Sequence, residues 1–285
     1  MSTVVGIRFR AVGKVYYYDA GCCPAVGVGE FVIAPSRRGT QIGEVVKLVP
    51  DPPDPPEGGW RSIIRKATGR DLTLRRLLRR RELEALLFAR QKARELGYEG
   101  LKVVEAEISF DERFLTVLYG AEGSTKTDVR PLHQFIARKF PRKQVEFRRL
   151  GPRDVARLLP GMGACGMEER CCARFLTDFA PVSIKMAKVQ GVSLTPSEIT
   201  GVCGRLRCCL VYEYEQYAEA AKTLPKRKKR VMTPRGEGKV VDLYPLKQTV
   251  LVLLDEGGVQ EFHRDELEPW NEAEARRRAE AVSAD

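Results

Sequence analysis

Six of the eight cysteines in this 285-residue chain lie between positions 165 and 209, in two similar short motifs. The first motif reads Cys165-Gly-Met-Glu-Glu-Arg-Cys171-Cys172, and the second reads Cys203-Gly-Arg-Leu-Arg-Cys208-Cys209. Grouped thiolates repel one another unless a cation neutralises them, and four of them can form a tetrahedral zinc site or anchor an iron–sulfur cluster. The two motifs therefore predict a metal centre on which both converge.

The spacing within the motifs leaves several metal chemistries open. Gaps of five and four residues differ from the Cys-x-x-Cys pairs of an ordinary zinc ribbon, and the adjacent pairs offer more thiols than one zinc ion needs. Iron–sulfur, zinc, and redox-active or simply buried thiols all stay possible, because free cysteine often serves as a small core side chain. The predicted metal ligands are Cys165, Cys171, Cys203 and Cys208, with Cys172 and Cys209 as alternatives or as ligands of a second centre.

Residues beside the cysteines suit an anionic centre. The glycine that follows the first cysteine of each motif lets the backbone turn tightly and donate amide N–H groups toward sulfur. Arg170, Arg205 and Arg207 can offset the negative charge of an iron–sulfur–thiolate centre. Cys22 and Cys23 lack the Cys-Gly start, and we interpret them as structural.

No catalytic arrangement is recognisable in the sequence. The two histidines, His133 and His263, do not lie near a serine–acid or cysteine–acid group that would form a nucleophilic site. The segment 235–239, Arg-Gly-Glu-Gly-Lys, lacks the first glycine and the final Ser or Thr of a phosphate-binding loop. We therefore expect a non-enzymatic protein and a β-turn at 235–239.

The composition is that of a globular protein with a basic excess. Hydrophobic residues make up 43% of the chain and charged residues 31%, which is typical of folded rather than disordered proteins. The net charge of +11 and the pI of about 9.3 favour polyanionic partners, of which nucleic acid is the first. We expect contact with RNA, either direct or through a complex.

Two features favour the cytoplasm. No apolar run approaches the roughly 20 residues needed to cross a bilayer, which predicts that this is not an integral membrane protein. The first residues alternate like a strand instead of forming a signal peptide. Thiols stay reduced in the cytoplasm, so eight cysteines there are better suited to metal or redox chemistry than to disulfides.

The elements that must position the motifs predict an α+β, multi-module chain. A helix is expected over 72–97, with an apolar stripe of Leu83, Leu86, Leu87 and Ala93, and a second helix over 127–139. The predicted segments are a small β-barrel-like module at 1–50, a Pro-rich linker at 51–60, a central α-β-β-α-β domain at 61–150, the cysteine-motif region at 151–222, and a basic linker, β-rich segment and charged helical tail at 223–285.

The cysteine region also carries a family resemblance. The run 161–213 contains both motifs, the segment PVSIKMAK and the segment LTPSEITG, and it closely resembles the signature of YaaT/RicT-type bacterial proteins. These belong to the polymerase-suppressor (PSP) C-terminal domain family. The resemblance covers most of 3–220, including YYYDAG near the start, but not the β-rich segment 231–268 or the Cys22–Cys23 pair.

The resemblance implies a regulatory function. Proteins of this type join two small helical partners, YlbF and YmcA, in a complex that carries iron–sulfur clusters and has been associated with a flavin, FAD. That complex is a specificity factor for the membrane-attached endoribonuclease RNase Y in mRNA maturation, and it affects competence, biofilm formation and sporulation. By resemblance, this chain is an adaptor with an iron–sulfur cluster, expected as 4Fe–4S, on the six motif cysteines. The alternative is a zinc-stabilised nucleic-acid-binding protein that acts alone.

Overall fold

The computed structural model describes residues 4–10, 14–23, 25–50, 52, 54–122 and 128–271. The chain divides into two compact units, Met1–Asp178 and Phe179–Asp285. Helices and strands occur in both units, which confirms the α+β class. Parts of the predicted linker (51 and 53), the start of the predicted second helix (127) and the predicted tail (272–285) lie outside the described residues.

The first unit begins with an open antiparallel sheet. Its strand order is β2-β1-β4-β3-β5, and its inner face buries alternating apolar side chains such as Val5, Ile7 and Val45. The strands are β1 (Val4–Arg8), β2 (Tyr16–Asp19), β3 (Phe31–Ser36), β4 (Gly39–Val49) and β5 (Arg65–Lys66).

The barrel-like prediction for residues 1–50 is wrong. In the described part of the chain, β2 and β5 form two separate edges of the sheet. Only an isolated bridge, between Asp19 and Ser62, lies between those edges. A two-residue β5 is too short to supply the ladder of hydrogen bonds that closes a barrel.

The central domain follows the predicted α-β-β-α-β order. Strand β6 is antiparallel to β7, and β8 lies parallel to β7 because α2 crosses over between them. Leu132 and Ile136 of α2 are fully buried against the sheet, as the helical period predicts. The elements are α1 (Gly69–Glu95), β6 (Leu101–Ile108), β7 (Phe114–Ala121), α2 (Arg130–Lys139) and β8 (Gln144–Arg149).

Helix α1 uses a different face from the one predicted. Its core face consists of Leu78, Ala85, Ala89 and Ala93, so only the last of these belongs to the predicted stripe. Leu86 packs partly against this core, whereas Leu83 and Leu87 are 55% and 56% exposed. The alanines let the helix lie close to the sheet, and about 3.6 residues per turn then place the two leucines on the opposite side.

An N-terminal cap ties α1 to the first sheet. Thr68 and Asp71 form a reciprocal capping box, in which the Asp71 carboxylate accepts the Thr68 N–H at 2.7 Å. Arg65 of β5 donates to both carboxylate oxygens, at 2.6 and 2.9 Å. The Arg65 guanidinium, together with the Thr68 donors, holds the pKa of Asp71 well below its usual range.

The rest of the chain is built of short helices and a second sheet. Helix α3 packs on the other face of the central sheet, where Val155 and Leu158 contact a cluster around Leu118. None of the described helices is both long and apolar enough to cross a membrane. The remaining elements are α3 (Pro152–Leu158), α4 (Cys171–Arg174), α5 (Ile184–Val189), α6 (Pro196–Ile199), α7 (Cys209–Tyr212), α8 (Tyr214–Lys222), β9 (Arg230–Thr233), β10 (Gly236–Tyr244), β11 (Thr249–Leu254), β12 (Val259–His263) and β13 (Glu268–Pro269).

Each of the two five-stranded sheets contains a hairpin turn of the same kind. In the β3–β4 turn, the Ser36 hydroxyl donates to the Gly39 carbonyl at 2.7 Å, and in the β9–β10 turn Thr233 donates to Gly236 at 2.8 Å. Both glycines have positive φ, which favours glycine. The second sheet has the order β12-β11-β10-β9-β13, and its β9–β10 turn confirms that 235–239 is part of a hairpin instead of a phosphate loop.

Two alanine substitutions on α1 distinguish its faces. We expect Leu78→Ala to lower the free energy of unfolding by about 2–5 kcal/mol, because it leaves a cavity in the core. Leu83→Ala, on the exposed side, is expected to change it by less than about 0.5 kcal/mol. Urea unfolding followed by circular dichroism measures both, and equal losses would contradict the assignment of the core face.

The cap predicts a pH-dependent contribution from Asp71. Because its folded pKa is depressed, the stabilisation is present above the unfolded pKa of about 4 and is lost as pH falls below that value. Asp71→Asn should therefore lower the free energy of unfolding by about 1–3 kcal/mol at pH 7. The difference in this free energy between the variant and the parent should shrink between about pH 4 and pH 2. Urea unfolding across this range tests it, with the exposed Asp54→Asn as control. A difference that does not change with pH would refute the ion pair.

Candidate metal-binding motifs

The first cysteine motif begins with a tight loop around Cys165. The Gly163 N–H donates to the Met167 carbonyl at 2.8 Å, and the Gly166 N–H donates to the Gly163 carbonyl at 3.0 Å. Gly166 has φ +85°, a conformation that a residue with a Cβ rarely adopts. A Cβ at Gly163 would lie 3.3 Å from the Cys165 sulfur, so glycine allows the backbone to approach the thiol closely. Cys165 itself is exposed.

The second motif contains the same loop around Cys203. The Gly201 N–H donates to the Arg205 carbonyl at 2.9 Å, and the Gly204 N–H donates to the Gly201 carbonyl at 2.9 Å. Gly204 has φ +73° and occupies the position of the positive-φ glycine in the first loop. Each loop thus has the pattern Gly-x-Cys-Gly-x, which we call the cysteine loop. The sequence analysis missed the glycine two residues before Cys165 and Cys203. Its presence in both copies of the motif is a signal that could have identified it.

Each adjacent cysteine pair lies at the start of a short helix. Cys171 is the first residue of α4, and Cys172 follows it and is buried. Cys208 immediately precedes α7, and Cys209 is its first residue. The second pair therefore begins one residue earlier relative to its helix than the first pair does. The second motif is also one residue shorter than the first.

An arginine before each pair binds the end of the preceding helix. Arg170 donates to the Leu159 carbonyl at 2.9 Å, to Met162 at 3.1 Å and to Pro160 at 3.3 Å, and it also contacts the Ala156 carbonyl. These acceptors lie at and just beyond the C-terminus of α3, where a helix leaves carbonyl groups unpaired.

Arg207 does the same in the second motif. It donates to the Ser197 carbonyl at 2.8 Å and to the Thr200 carbonyl at 3.3 Å, at the end of α6. Arg170 and Arg207 therefore order the backbone through carbonyl groups, and the predicted compensation of a cluster's charge stays a prediction, because these bonds leave the positive charge in place. Arg205, the third predicted arginine, is exposed.

The structure shows each motif separately. The first lies in the unit Met1–Asp178 and the second in the unit Phe179–Asp285. Among the described residues, no group of three or more His, Cys, Asp or Glu side chains is placed to hold a metal ion. The ligand set of six cysteines, and the choice within each pair, therefore stays a prediction.

A partly buried cation lies on the helix before the first motif. The Nε and Nη2 atoms of Arg157 are buried and have no hydrogen-bond partner. Arg157 belongs to α3, which contacts α4, the helix that begins with Cys171 and Cys172. A buried guanidinium without an acceptor is costly and suits a neighbouring anion.

Cys22 and Cys23 lie outside the two motifs and contact the first sheet and the residues around Ile63. The Cys22 thiol donates to the Ile63 carbonyl at 3.1 Å, and Cys23 packs against the core of the first sheet. Loss of hydration and the neighbouring Cys23 thiol raise the pKa of Cys22. A raised pKa disfavours the thiolate that metal binding requires.

The basic segment 226–230 is attached to the second sheet. Lys228 and Lys229 exchange backbone hydrogen bonds with Val240 of β10. Arg227 is paired with Asp242, and Arg230 is paired with Glu237 and Asp255 and lies over the ring of Trp270. Part of the basic charge of this segment is therefore neutralised locally and is not available to nucleic acid.

The arginine contacts predict a local loss of order on substitution. Arg170→Lys should remove most of the bonds to the end of α3, because an ammonium group lacks the planar fork of donors, at a cost of about 1–3 kcal/mol. Hydrogen–deuterium exchange should become faster across 156–176, whereas Arg174→Lys, at an exposed position of α4, should not change it. Equal exchange in the two variants would contradict the role of Arg170.

Comparisons with known proteins agree with the cysteine pattern. Residues 61–150 match the PSP1 C-terminal conserved region, and residues 181–224 match the third domain of PSP1-like proteins. The chain is 37% identical over 270 residues to the stage 0 sporulation protein YaaT of Bacillus subtilis, covering 94% of this chain and 96% of that protein. No solved structure matches it. The chain therefore belongs to the PSP family, as a protein of the YaaT type.

Proposed function

We propose that this protein is a non-enzymatic regulatory subunit that binds an iron–sulfur cluster through its two cysteine motifs and acts as an adaptor in an RNA-processing complex. The observation that carries the proposal is the repeated arrangement of a cysteine loop followed by a helix-borne cysteine pair. It supplies the same set of thiols twice, on backbone that is ordered by the same hydrogen bonds.

The chemistry of the donor set supports iron–sulfur binding. The six motif cysteines exceed the four thiolates of a closed zinc site, and thiolates are the usual anchors of a 4Fe–4S cluster. Arg157, a partly buried cation of α3 with two unpaired N–H groups, would offset negative charge near α4. When bound, the cluster would act as a cross-link and as a group sensitive to oxidants and iron supply.

The adaptor function rests on family membership. A relative that aligns along 94% of the chain is named a sporulation protein, which supports a regulatory function. We propose partners similar to YlbF and YmcA, action on RNase Y in mRNA maturation, and a cytoplasmic location, where thiols stay reduced. Any FAD would belong to the assembled complex, and RNA contact would be direct or through its other subunits.

A zinc-stabilised nucleic-acid-binding protein is the second candidate. The cysteine loops favour it to some degree, because short loops with a central cysteine also suit tetrahedral zinc. This candidate predicts a colourless protein with zinc near one per chain and RNA binding with a steep salt dependence.

Anaerobic purification with an absorption spectrum and assays of iron, sulfide and zinc tests the proposal. We expect a brown protein with matching iron and sulfide. Cys203→Ser should lose most of both, because it removes a ligand that serine does not replace. Cys22→Ser is the matched control, since its hydroxyl can keep the bond to the Ile63 carbonyl, and it should retain the cluster.

Two results would sink the iron–sulfur assignment. One is unchanged iron and sulfide in Cys203→Ser, and the other is parent protein with zinc and without sulfide. The second result favours the zinc candidate, and titration of RNA at several salt concentrations is then the next measurement.

A further inference from the structure

The exposed side of α1 carries a regular pattern of arginine and leucine. Successive members are four, three, four and seven residues apart, so they follow one line along the helix with the heptad spacing of a helix–helix interface. We call this set the leucine–arginine stripe, and its members are Arg76, Arg80, Leu83, Leu87 and Arg94.

The stripe is apolar at its centre and has no acidic member, and Glu84, which lies beside it on α1, is 3.9 Å from the Lys139 ammonium of α2. Leu83 and Leu87 are more than half exposed and lie opposite the core face, so the central domain itself cannot bury them. Among the described residues, no ion pair involves the three arginines of the stripe. By contrast, the paired cations on α1 form the bridges Arg75–Glu82, Arg81–Glu112 and Lys92–Glu95.

We propose that the leucine–arginine stripe binds an acidic amphipathic helix of a partner protein. The two leucines would pack into the apolar seam of that helix, and the arginines on either side would pair with its Glu or Asp residues. Exposed apolar side chains rimmed by charge are typical of such helix-in-groove contacts. The inference deepens the proposed adaptor function and rests on it, because an adaptor needs a surface for its partner.

The composition of the stripe argues against other occupants. A second copy would place arginine against arginine in either helix direction, and like charges across an interface repel. Single-stranded RNA is bound by stacking on aromatic rings, and two central leucines do not provide this. A membrane surface needs a broad apolar face that enters the lipid, whereas the broad apolar face of α1 is already in the core.

Binding of a synthetic helix to the full-length protein tests the proposal. The probe is a fluorescent peptide of about three heptads, with leucine at the central core positions and glutamate at the outer ones. Anisotropy should show binding to the parent, and the double variant Leu83→Ala/Leu87→Ala should bind at least about tenfold more weakly. Leu77→Ala is the matched control: Leu77 is a comparably exposed leucine of the same helix that lies off the stripe, and its removal should leave the affinity unchanged.

Reversal of charge gives a second readout. Arg80→Glu should weaken binding of the acidic peptide and should gain binding to a matched peptide in which lysine replaces glutamate. A purely structural effect of the substitution would weaken the binding of both peptides to the same degree. Circular dichroism of each variant checks that α1 remains folded.

Three results would overturn the proposal. The first is no binding of the acidic peptide to the parent, and the second is an equal loss in the double variant and in Leu77→Ala. The third is binding of poly-U RNA or phosphatidylserine vesicles, instead of the peptide, that depends on Leu83 and Leu87. Iron and sulfide are assayed on the same preparations. Peptide binding without a cluster would refute only the proposal that the protein binds a cluster. A cluster without peptide binding would refute only the proposal that the stripe binds a helix.

Discussion

The backbone of the cysteine region depends on hydrogen bonds that are not made by regular helix or sheet. Residues 159–213 contain only four short helices, yet buried carbonyl and N–H groups must still be paired. Arg170 and Arg207 meet this constraint by donating to carbonyl groups at and beyond the ends of α3 and α6. The glycine loops meet it with two backbone bonds each. The cysteines are thus presented by a backbone that side chains and turns hold in place.

This constraint explains why the arginines stand where they do. In each motif the arginine immediately precedes the cysteine pair, so the bonds that anchor its guanidinium also set where the following helix begins. Gly161 is part of the same arrangement, because a Cβ there would lie 2.6 Å from the Arg170 guanidinium. Proximity to thiols in the sequence suggested charge compensation, whereas the five donors of an arginine also suit unpaired helix carbonyls, and the structure shows this second use.

Sequence patterns predicted the central domain well because its signals are local. Leu132 and Ile136 follow the helical period, and the strands on either side of α2 contain β-branched and aromatic residues, so the α-β-β-α-β order could be obtained from local sequence patterns. Whether the first sheet closes into a barrel could not be predicted from local patterns, because it depends on the length of β5, which follows a proline-rich segment.

The face of α1 was also predicted wrongly: hydrophobicity ranks Leu83 above Ala85, whereas close packing against a sheet favours the small side chain. Within the candidate site, the cysteines and glycines were evident from the sequence, but the arginine–carbonyl contacts join residues seven to fourteen positions apart and carry no local signal.

The net charge of the chain has a more specific meaning in the structure than in the composition. The net charge of +11 already subtracts the acids, but several basic side chains are held by acids, and Arg170 and Arg207 by carbonyl groups, so these side chains are not free to reach the phosphates of a polyanion. The arginines of the leucine–arginine stripe differ because they lie on either side of exposed leucines and form no ion pair among the described residues, and the adjacent Glu84 is paired with Lys139. A diffuse basic surface suits nucleic acid, but a row of cations around an apolar centre suits a complementary helix. The two surfaces would respond differently to salt: binding at the stripe would keep its apolar component when screening weakens the ion pairs, whereas binding that rests on phosphate contacts alone would be lost.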